Sequence, residues 1–181
     1  MLLCWVMVTG ALHLDGLADS ADAWLGGHGD REKSLRIMKD PQSGPAGVVA
    51  VVLLLVLKFA LIVYLQEHRQ FGYLLLVPMT ARSLIPLLFL STPYVRDDGL
   101  GKPFSDGLEA GKIWPGIIVA LALGLLTNSL GWAWALLLAA LLFYGTRRLL
   151  LNWLGGTTGD TAGALIEVLE CGLLIGCLWT V

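Results

Sequence analysis

The sequence predicts an all-α fold: a polytopic transmembrane helix bundle with about six membrane segments, forming one membrane-embedded domain over residues 1–181. Hydrophobic residues make up 56% of the chain and charged residues only 14%, well below the share of about a quarter that is typical of soluble domains. The apolar residues are gathered into segments of about 20 residues, the helical length needed to cross a bilayer core. The sequence shows no internal repeat, and the loops are too short to form a second domain.

Five of the predicted segments are internal or C-terminal. They cover residues 46–66, 71–91, 113–127, 129–145 and 161–181. Segment 113–127 is short and spans only where the bilayer thins locally. The apolar residues 1–14 lack the basic start and the cleavage site of a signal peptide, so we interpret them as the end of a sixth spanning helix.

Basic residues predict the orientation of the bundle. With six alternating segments, loops 23–45, 92–112 and 147–160 fall on one side, and the other side has Arg69 alone. The three loops hold nine basic residues: Arg31, Lys33, Arg36, Lys39, Arg96, Lys102, Lys112, Arg147 and Arg148. Cytoplasmic loops of membrane proteins are enriched in Lys and Arg. We therefore expect a multi-pass protein of the cytoplasmic (inner) membrane with these loops in the cytoplasm.

Four charged residues fall inside the predicted segments: Lys58, Arg82, Glu167 and Glu170. Ionisable groups inside a membrane are functional candidates by default. Two interpretations stay open, mutual pairing of Lys58 or Arg82 with a glutamate, and lining of a substrate cleft. His13 is either a partner of Asp15 or an interfacial residue, and the second interpretation is favoured.

The stretch HLDGLADSADAW places Asp15, Asp19 and Asp22 directly after the first apolar run. We expect the helix of the first segment to continue through this stretch, so that its last turns carry the three side chains within an arc of about 60°. Carboxylates gathered on one face repel one another, and they suit a hard cation such as Mg²⁺ or Mn²⁺. The alternative is a solvated helix end whose acids face water.

The stretch GGTTGDTAGA returns to the same side, immediately before the last segment. Glycine and threonine at a helix start expose N–H groups and hydroxyls that can bind an anion, and Asp160 adds a fourth carboxylate. The candidate phosphate-binding residues are Gly155, Gly156, Thr157, Thr158 and Gly159. Lys39, Arg96 and Arg147 are candidate charge partners. The alternatives are a flexible loop with Asp160 as a helix cap, and basic residues that only set topology.

An acid cluster and a phosphate-binding loop on one membrane face together predict metal-assisted phosphoryl transfer. The net charge of −2 gives no basic field for nucleic acid. Two other functional classes are the alternatives. A secondary transporter would carry its charges at the midplane between repeated halves. A CDP-alcohol-type phosphotransferase would carry the signature D-G-x-x-A-R, which fails at Asp19 and Ser20.

The strings TGALHLDGLADSADAW, IMKDPQSGPAG, RDDGLGKPF and GGTTGDTAGALIE resemble the cobalamin synthase (adenosylcobinamide-GDP ribazoletransferase) family over nearly the whole chain. The resemblance implies a Mg²⁺-dependent membrane enzyme, with Mn²⁺ as an alternative ion. Such an enzyme joins α-ribazole, or its 5′-phosphate, to adenosylcobinamide-GDP and releases GMP. Asp15, Asp19, Asp22 and Asp160 would hold the metal and serve catalysis. Membrane lipid and a second copy of the chain are the other expected partners.

Two departures from the family pattern stand out. Ala23 follows the third aspartate, where members usually have glycine. Members also carry further chain before the position of Leu2, so the N-terminal portion of the family is expected to be missing from this sequence.

The basic loops make the topology testable. After Cys4, Cys171 and Cys177 are replaced by alanine, Ser105→Cys should resist an impermeant thiol reagent in intact cells, whereas Gln70→Cys should react. Labelling is read by mass shift. The reverse pattern would overturn the orientation.

Overall fold

The fold was determined as a computed structural model that describes residues 1–96, 99, 101–125 and 130–178. Over these residues it is all-α, as predicted, with one isolated β-bridge. Parts of the sequence predictions lie outside the described residues: positions 97, 98 and 100 of the string RDDGLGKPF, and positions 126, 127, 129 and 179–181 of the predicted segments. The helices are α1 (Leu2–Val8), α2 (Leu12–Gly27), α3 (Arg31–Ile37), α4 (Pro45–Glu67), α5 (Tyr73–Ser83), α6 (Ile85–Ser91), α7 (Lys102–Asp106), α8 (Ala110–Leu125), α9 (Leu130–Leu154) and α10 (Gly159–Cys177).

Three stretches of the described chain are long and apolar enough to cross a membrane. They are Pro45–Glu67, Tyr73–Ser91 and Leu130–Leu154, and the bent pair α1 and α2 would make a fourth. Pro86, near the start of α6, accounts for the break between α5 and α6. The apolar part of α8, Ile113–Gly124, is shorter than a span. The predicted helical membrane bundle is confirmed, and the count of six crossings stays a prediction.

The prediction that one helix runs from the apolar start into the acid motif is wrong. The chain breaks between α1 and α2, and the two helices are bent by 87°. Gly10 and Ala11 both have left-handed backbone angles, with φ of 58° and 60°, and two such residues cannot continue a right-handed helix. The three aspartates therefore lie on a separate helix, α2, and all three come after the apolar residues 1–14 of the predicted span.

Helix α10 is the centre of the bundle. Most of its side chains are buried, with Leu165, Leu169 and Leu173 fully so, and it packs against α2, α4, α5 and α9. At Gly176 the helix contacts the backbone of Ala135 in α9 so closely that a side chain would collide. Such small-residue contacts are the usual packing device of membrane helices, where apolar side chains gain little by leaving lipid.

A buried ion cluster joins α10 to its neighbours. Lys58 Nζ donates to Glu167 Oε2 and Glu170 Oε2, each at 2.5 Å. Arg82 Nη1 lies 2.6 Å from Glu170 Oε1, which also accepts from Trp5 Nε1 at 3.2 Å. Two cations and two anions balance. Of the two interpretations left open by the sequence, mutual pairing is confirmed.

The balance of this cluster predicts a compensating pair of substitutions. Lys58→Met should lower the free energy of unfolding by about 3–5 kcal/mol, because it leaves two buried carboxylates with one cation. The double change Lys58→Met/Glu167→Gln restores the balance and should be less damaging than Lys58→Met alone. Thermal unfolding in detergent measures both. If the losses of free energy in Lys58→Met and Glu167→Gln add up to the loss in the double variant, the two charges are not coupled.

Candidate active site

The site begins where α2 crosses α10 in backbone contact. A Cβ on Gly16 would lie 2.5 Å from the carbonyl oxygen of Asp160, and one on Gly163 would lie 3.2 Å from Cα of His13. Only glycine permits this approach. The crossing brings the first half of α2, with Asp15 and Asp19, beside the first turn of α10, with Asp160.

The start of α10 is fixed by a capping box. The Thr158 side chain accepts from the N–H of Thr161, while the Thr161 hydroxyl accepts from the N–H of Thr158. Both hydroxyls are buried, as is that of Thr157, which lies 2.9 Å from the Thr161 hydroxyl. A capping box satisfies backbone donors that a helix start leaves open. The position of Asp160 is therefore set by buried hydrogen bonds.

A second connection ties the loop after α6 to the loop before α10. Val95 N–H donates to the carbonyl oxygen of Thr157 at 3.0 Å, and Thr157 N–H donates to that of Pro93 at 2.8 Å. This is the parallel bridge between Tyr94 and Thr157. Loops that are about sixty residues apart in sequence are thereby held side by side.

A cavity of about 520 Å³ opens at this end of the bundle. This volume is within the usual range for small-molecule sites. Six of the residues predicted from the sequence line it: Asp15, Asp19, Lys39, Arg96, Gly159 and Asp160. His13, Asp40 and Tyr94 line it as well. The structure thus brings the acid motif, part of the glycine-rich loop and two of the predicted cations together.

Opposite charges meet inside the cavity. Arg96 Nη1 contacts Asp160 Oδ2 in an ion pair, and Arg96 Nη2 lies 3.4 Å from the carbonyl oxygen of Met38. Burial raises the pKa of the Asp160 carboxyl, and the Arg96 cation opposes this shift. Burial, and next the charges of Asp15 and Asp160, raise the pKa of Asp19 to about 6. The like charges of these carboxylates repel one another, and the Arg96 cation offsets the repulsion at Asp19 only in part.

Asp22 is placed differently from the other acids. Its two carboxylate oxygens accept from the N–H groups of Gly44 at 2.6 Å and Gly47 at 2.9 Å, at the start of α4. A side chain on either glycine would collide with this carboxylate. Asp22 therefore caps α4 from a neighbouring helix and holds α2 against it.

No three His, Cys, Asp or Glu side chains are close enough to hold one metal ion within the described chain. The donors that line the cavity are nevertheless carboxylates, the oxygen ligands that Mg²⁺ prefers, and their mutual repulsion is what a bound cation would relieve. The chemistry of Asp15, Asp19 and Asp160 thus fits a hard divalent cation. Metal ligation by all four predicted aspartates stays a prediction.

The predicted phosphate-binding residues divide into two groups. Gly159 lines the cavity, whereas Gly155, Gly156, Thr157 and Thr158 do not. The N–H groups of Gly155, Thr157 and Thr158 donate to Leu151, Pro93 and Thr161 respectively. Arg147 is also engaged elsewhere, since its guanidinium donates to the carbonyl oxygen of Ser91. These residues shape the loop, and phosphate binding by them stays a prediction.

Sequence reasoning missed Tyr94 and Asp40 and set His13 aside as interfacial. His13 lines the cavity, and its Nδ1 lies 3.4 Å from Arg82 Nη2 of the buried ion cluster. The signal for His13 was its position two residues before Asp15. Tyr94 had no comparable signal, because only the long-range bridge to Thr157 places it at the site.

A family described as Cobalamin-5-phosphate synthase matches residues 1–178 of this sequence. The chain belongs to this family. Membership of the cobalamin-5-phosphate synthase family confirms the resemblance seen in the acid and glycine motifs. The match covers every residue of the cavity, so the site is part of the family's own domain.

Relatives in the cobalamin-5-phosphate synthase family are closely similar to the chain. Adenosylcobinamide-GDP ribazoletransferase of Pseudomonas fluorescens strain Pf0-1 is 52% identical over 176 residues, which cover 97% of this chain and 72% of the relative. The protein of the same name from Pseudomonas paraeruginosa strain PA7 is 52% identical over 177 residues, with 97% and 71% covered. That of Stutzerimonas stutzeri strain A1501 is 48% identical, with the same coverage. No solved structure matches the chain significantly.

Asp22 and Asp19 should differ in their effect on stability. Asp22→Ala removes the acceptor of two N–H groups and should lower the free energy of unfolding by about 1–3 kcal/mol. Asp19→Asn removes a repelling charge and should raise the melting temperature, measured at neutral pH in detergent with EDTA.

The gain from Asp19→Asn should depend on pH. The folded state raises the Asp19 pKa from its ordinary value of 3.8 to about 6, so ionisation costs stability as pH rises through this window. The gain should be absent below pH 3.8 and complete above pH 6. Equal losses from Asp22→Ala and Asp19→Asn at neutral pH would contradict the assignment of Asp22 as a cap.

Proposed function

We propose that this chain joins α-ribazole, or its 5′-phosphate, to adenosylcobinamide-GDP with release of GMP, as a Mg²⁺-dependent enzyme of the cytoplasmic (inner) membrane whose active face is cytoplasmic. The step assembles the nucleotide loop of cobalamin. The observation that carries the proposal is the cavity in which Asp15, Asp19 and Asp160 face Lys39 and Arg96. Such a site suits a phosphate substrate that carries a metal cation, because the carboxylates can bind the cation and the basic side chains can bind the phosphate.

Family membership separates this function from the two other classes. The match to Cobalamin-5-phosphate synthase runs over residues 1–178, and the relatives at about 52% identity are named adenosylcobinamide-GDP ribazoletransferase. A transporter site near the midplane is not favoured either, because Lys58, Arg82, Glu167 and Glu170 pair with one another in the bundle. The cavity lies at the end of the bundle instead.

Asp15, Asp19 and Asp160 would hold Mg²⁺, or Mn²⁺, which binds the same oxygens. When bound, the ion neutralises charge on the pyrophosphate and on the departing GMP. Asp22 is the fourth predicted ligand, but its oxygens accept from Gly44 and Gly47, so the ligand role rests on the sequence motif alone.

The chain's own groups divide the remaining work. Arg96 and Lys39 would contact phosphate oxygens, together with the N–H of Gly159, because the first N–H groups of a helix have no intrahelical acceptor. A ribose hydroxyl of α-ribazole attacks the phosphorus attached to cobinamide, and the anhydride bond to GMP breaks. A cavity aspartate accepts the hydroxyl proton. Arg96 would exchange part of its contact with Asp160 for the phosphate.

The proposal is tested by GMP release from adenosylcobinamide-GDP and α-ribazole, in detergent, with and without Mg²⁺. Asp15→Asn, Asp19→Asn and Asp160→Asn should each lower turnover by at least about 100-fold, because residues that act as one unit lose most of the rate on the first deletion. The double change Asp15→Asn/Asp19→Asn should be hardly worse than the worse single change. Higher Mg²⁺ or Mn²⁺ should partly restore the single variants.

Asp22→Asn serves as the contrast within the same motif. A ligand role predicts a shifted Mg²⁺ requirement, whereas a capping role predicts lower stability with an unshifted requirement. If the three cavity variants turn over at wild-type rates with an unshifted Mg²⁺ requirement, the proposed metal site is wrong. If the wild-type chain releases no GMP from these substrates, the proposed reaction is wrong.

A further inference from the structure

The Tyr94 ring is held in one place at the wall of the cavity. The Phe89 ring packs against it, with the two ring centroids 5.9 Å apart. On the other side lie Gly99 and Gly101. A side chain on Gly99 would collide with the Tyr94 hydroxyl, and a Cβ on Gly101 would lie 3.0 Å from the Tyr94 ring. Two glycines thus make the space that this ring fills.

The backbone of Tyr94 is also fixed. The flanking residues Pro93 and Val95 exchange hydrogen bonds with Thr157, directly before the cap of α10. The position of a Cβ on Gly159 is 3.8 Å from the Tyr94 oxygen. The hydroxyl therefore lies at the start of α10, and Tyr94 lines the same cavity as Asp160 and Arg96.

The Tyr94 hydroxyl is buried and has no hydrogen-bond partner among the described residues. Buried polar atoms nearly always have a partner, so an orphaned one calls for an explanation. Among the described residues that line this cavity, no other has a buried side-chain nitrogen or oxygen without a hydrogen-bond partner. A hydroxyl that is rigidly held, unpartnered and placed at a ligand cavity is explained by a ligand that accepts its hydrogen bond.

The chemistry of the surroundings selects the acceptor. A phenol is neutral at physiological pH and donates a hydrogen bond without adding charge. The same cavity holds the Arg96 cation and the positive end of the α10 dipole, which attract an anion, and the carboxylates of Asp15, Asp19 and Asp160, which would hold the cation that accompanies it. Phosphoryl oxygen is the anionic acceptor that the proposed substrate would bring to this place.

We infer that Tyr94 is a substrate-binding residue whose hydroxyl donates a hydrogen bond to a phosphoryl oxygen of the guanosine diphosphate part of the substrate. The inference rests on the proposed function, and it adds a neutral donor to the charged groups of the cavity. It also explains why positions 99 and 101 carry glycine, since any side chain there would displace the hydroxyl or the ring.

The test is Tyr94→Phe, which removes only the oxygen. We expect kcat/KM for GMP release to fall by about 10- to 100-fold, the size of a lost hydrogen bond to a charged group. Binding of GDP, measured by equilibrium dialysis in detergent, should weaken by a similar factor. The melting temperature should stay the same or rise, because no protein partner loses a hydrogen bond. Tyr144→Phe is the matched control: this tyrosine is exposed on α9 and does not line the cavity.

Each other outcome has a definite meaning. Wild-type kinetics and GDP affinity in Tyr94→Phe would overturn the inference, as would a melting temperature clearly below that of Tyr144→Phe, since this would reveal a structural hydrogen bond. The proposed function fails separately, when the wild-type chain binds GDP but releases no GMP. In that case the difference in GDP affinity between wild type and Tyr94→Phe still decides the role of Tyr94.

Discussion

The contact between α2 and α10 is the constraint on which the site depends. Gly16 lies on the backbone of Asp160 and Gly163 on that of His13, so the two helices approach as closely as bare backbones permit. At this separation Asp15 and Asp19 reach the same cavity as Asp160. Wider spacing, as larger residues would impose, would move the carboxylates of the two helices apart. The carboxylates of α2 and α10 therefore share one cavity only because Gly16 and Gly163 lie at the crossing of the two helices.

The repulsion between neighbouring carboxylates is offset in two different ways along α10. At its start, Asp160 contacts Arg96, and burial together with the charges of Asp15 and Asp160 raises the pKa of Asp19 to about 6. Deeper in the bundle, Glu167 and Glu170 are matched by Lys58 and Arg82, and these charges balance. A cluster in which the charges balance has no excess negative charge to attract a cation. A cavity in which carboxylates outnumber the basic side chains does attract one. This difference separates the structural acids of α10 from the candidate catalytic one.

Local patterns were enough to predict part of the fold and site. Composition and apolar lengths predicted the helical membrane bundle. The charge pattern identified Asp15, Asp19, Asp160, Lys39 and Arg96, and the glycine-rich stretch identified Gly159; all six line the cavity. The break before α2 could not be predicted, because Ala11 carries no sequence signal for a left-handed backbone. Asp22 meets Gly44, and Tyr94 meets Thr157, only through tertiary contacts. Partners that are far apart in sequence decide whether an acid caps a helix or faces a ligand.

The four residues between α9 and α10 have consequences for engineering this protein. Gly155 has a left-handed backbone with φ of 72°, Gly156 packs against Pro93, and Thr157 forms the bridge to the loop after α6. These contacts fix both the conformation and the length of the turn. Adding or removing one residue would rotate α10 by about 100° and separate Asp160 from its neighbours. The turn between α4 and α5, with exposed His68 and Phe71, is at the opposite end of α4 from the site. Epitope tags, fluorescent reporters and fiducial domains for electron microscopy therefore belong at that turn.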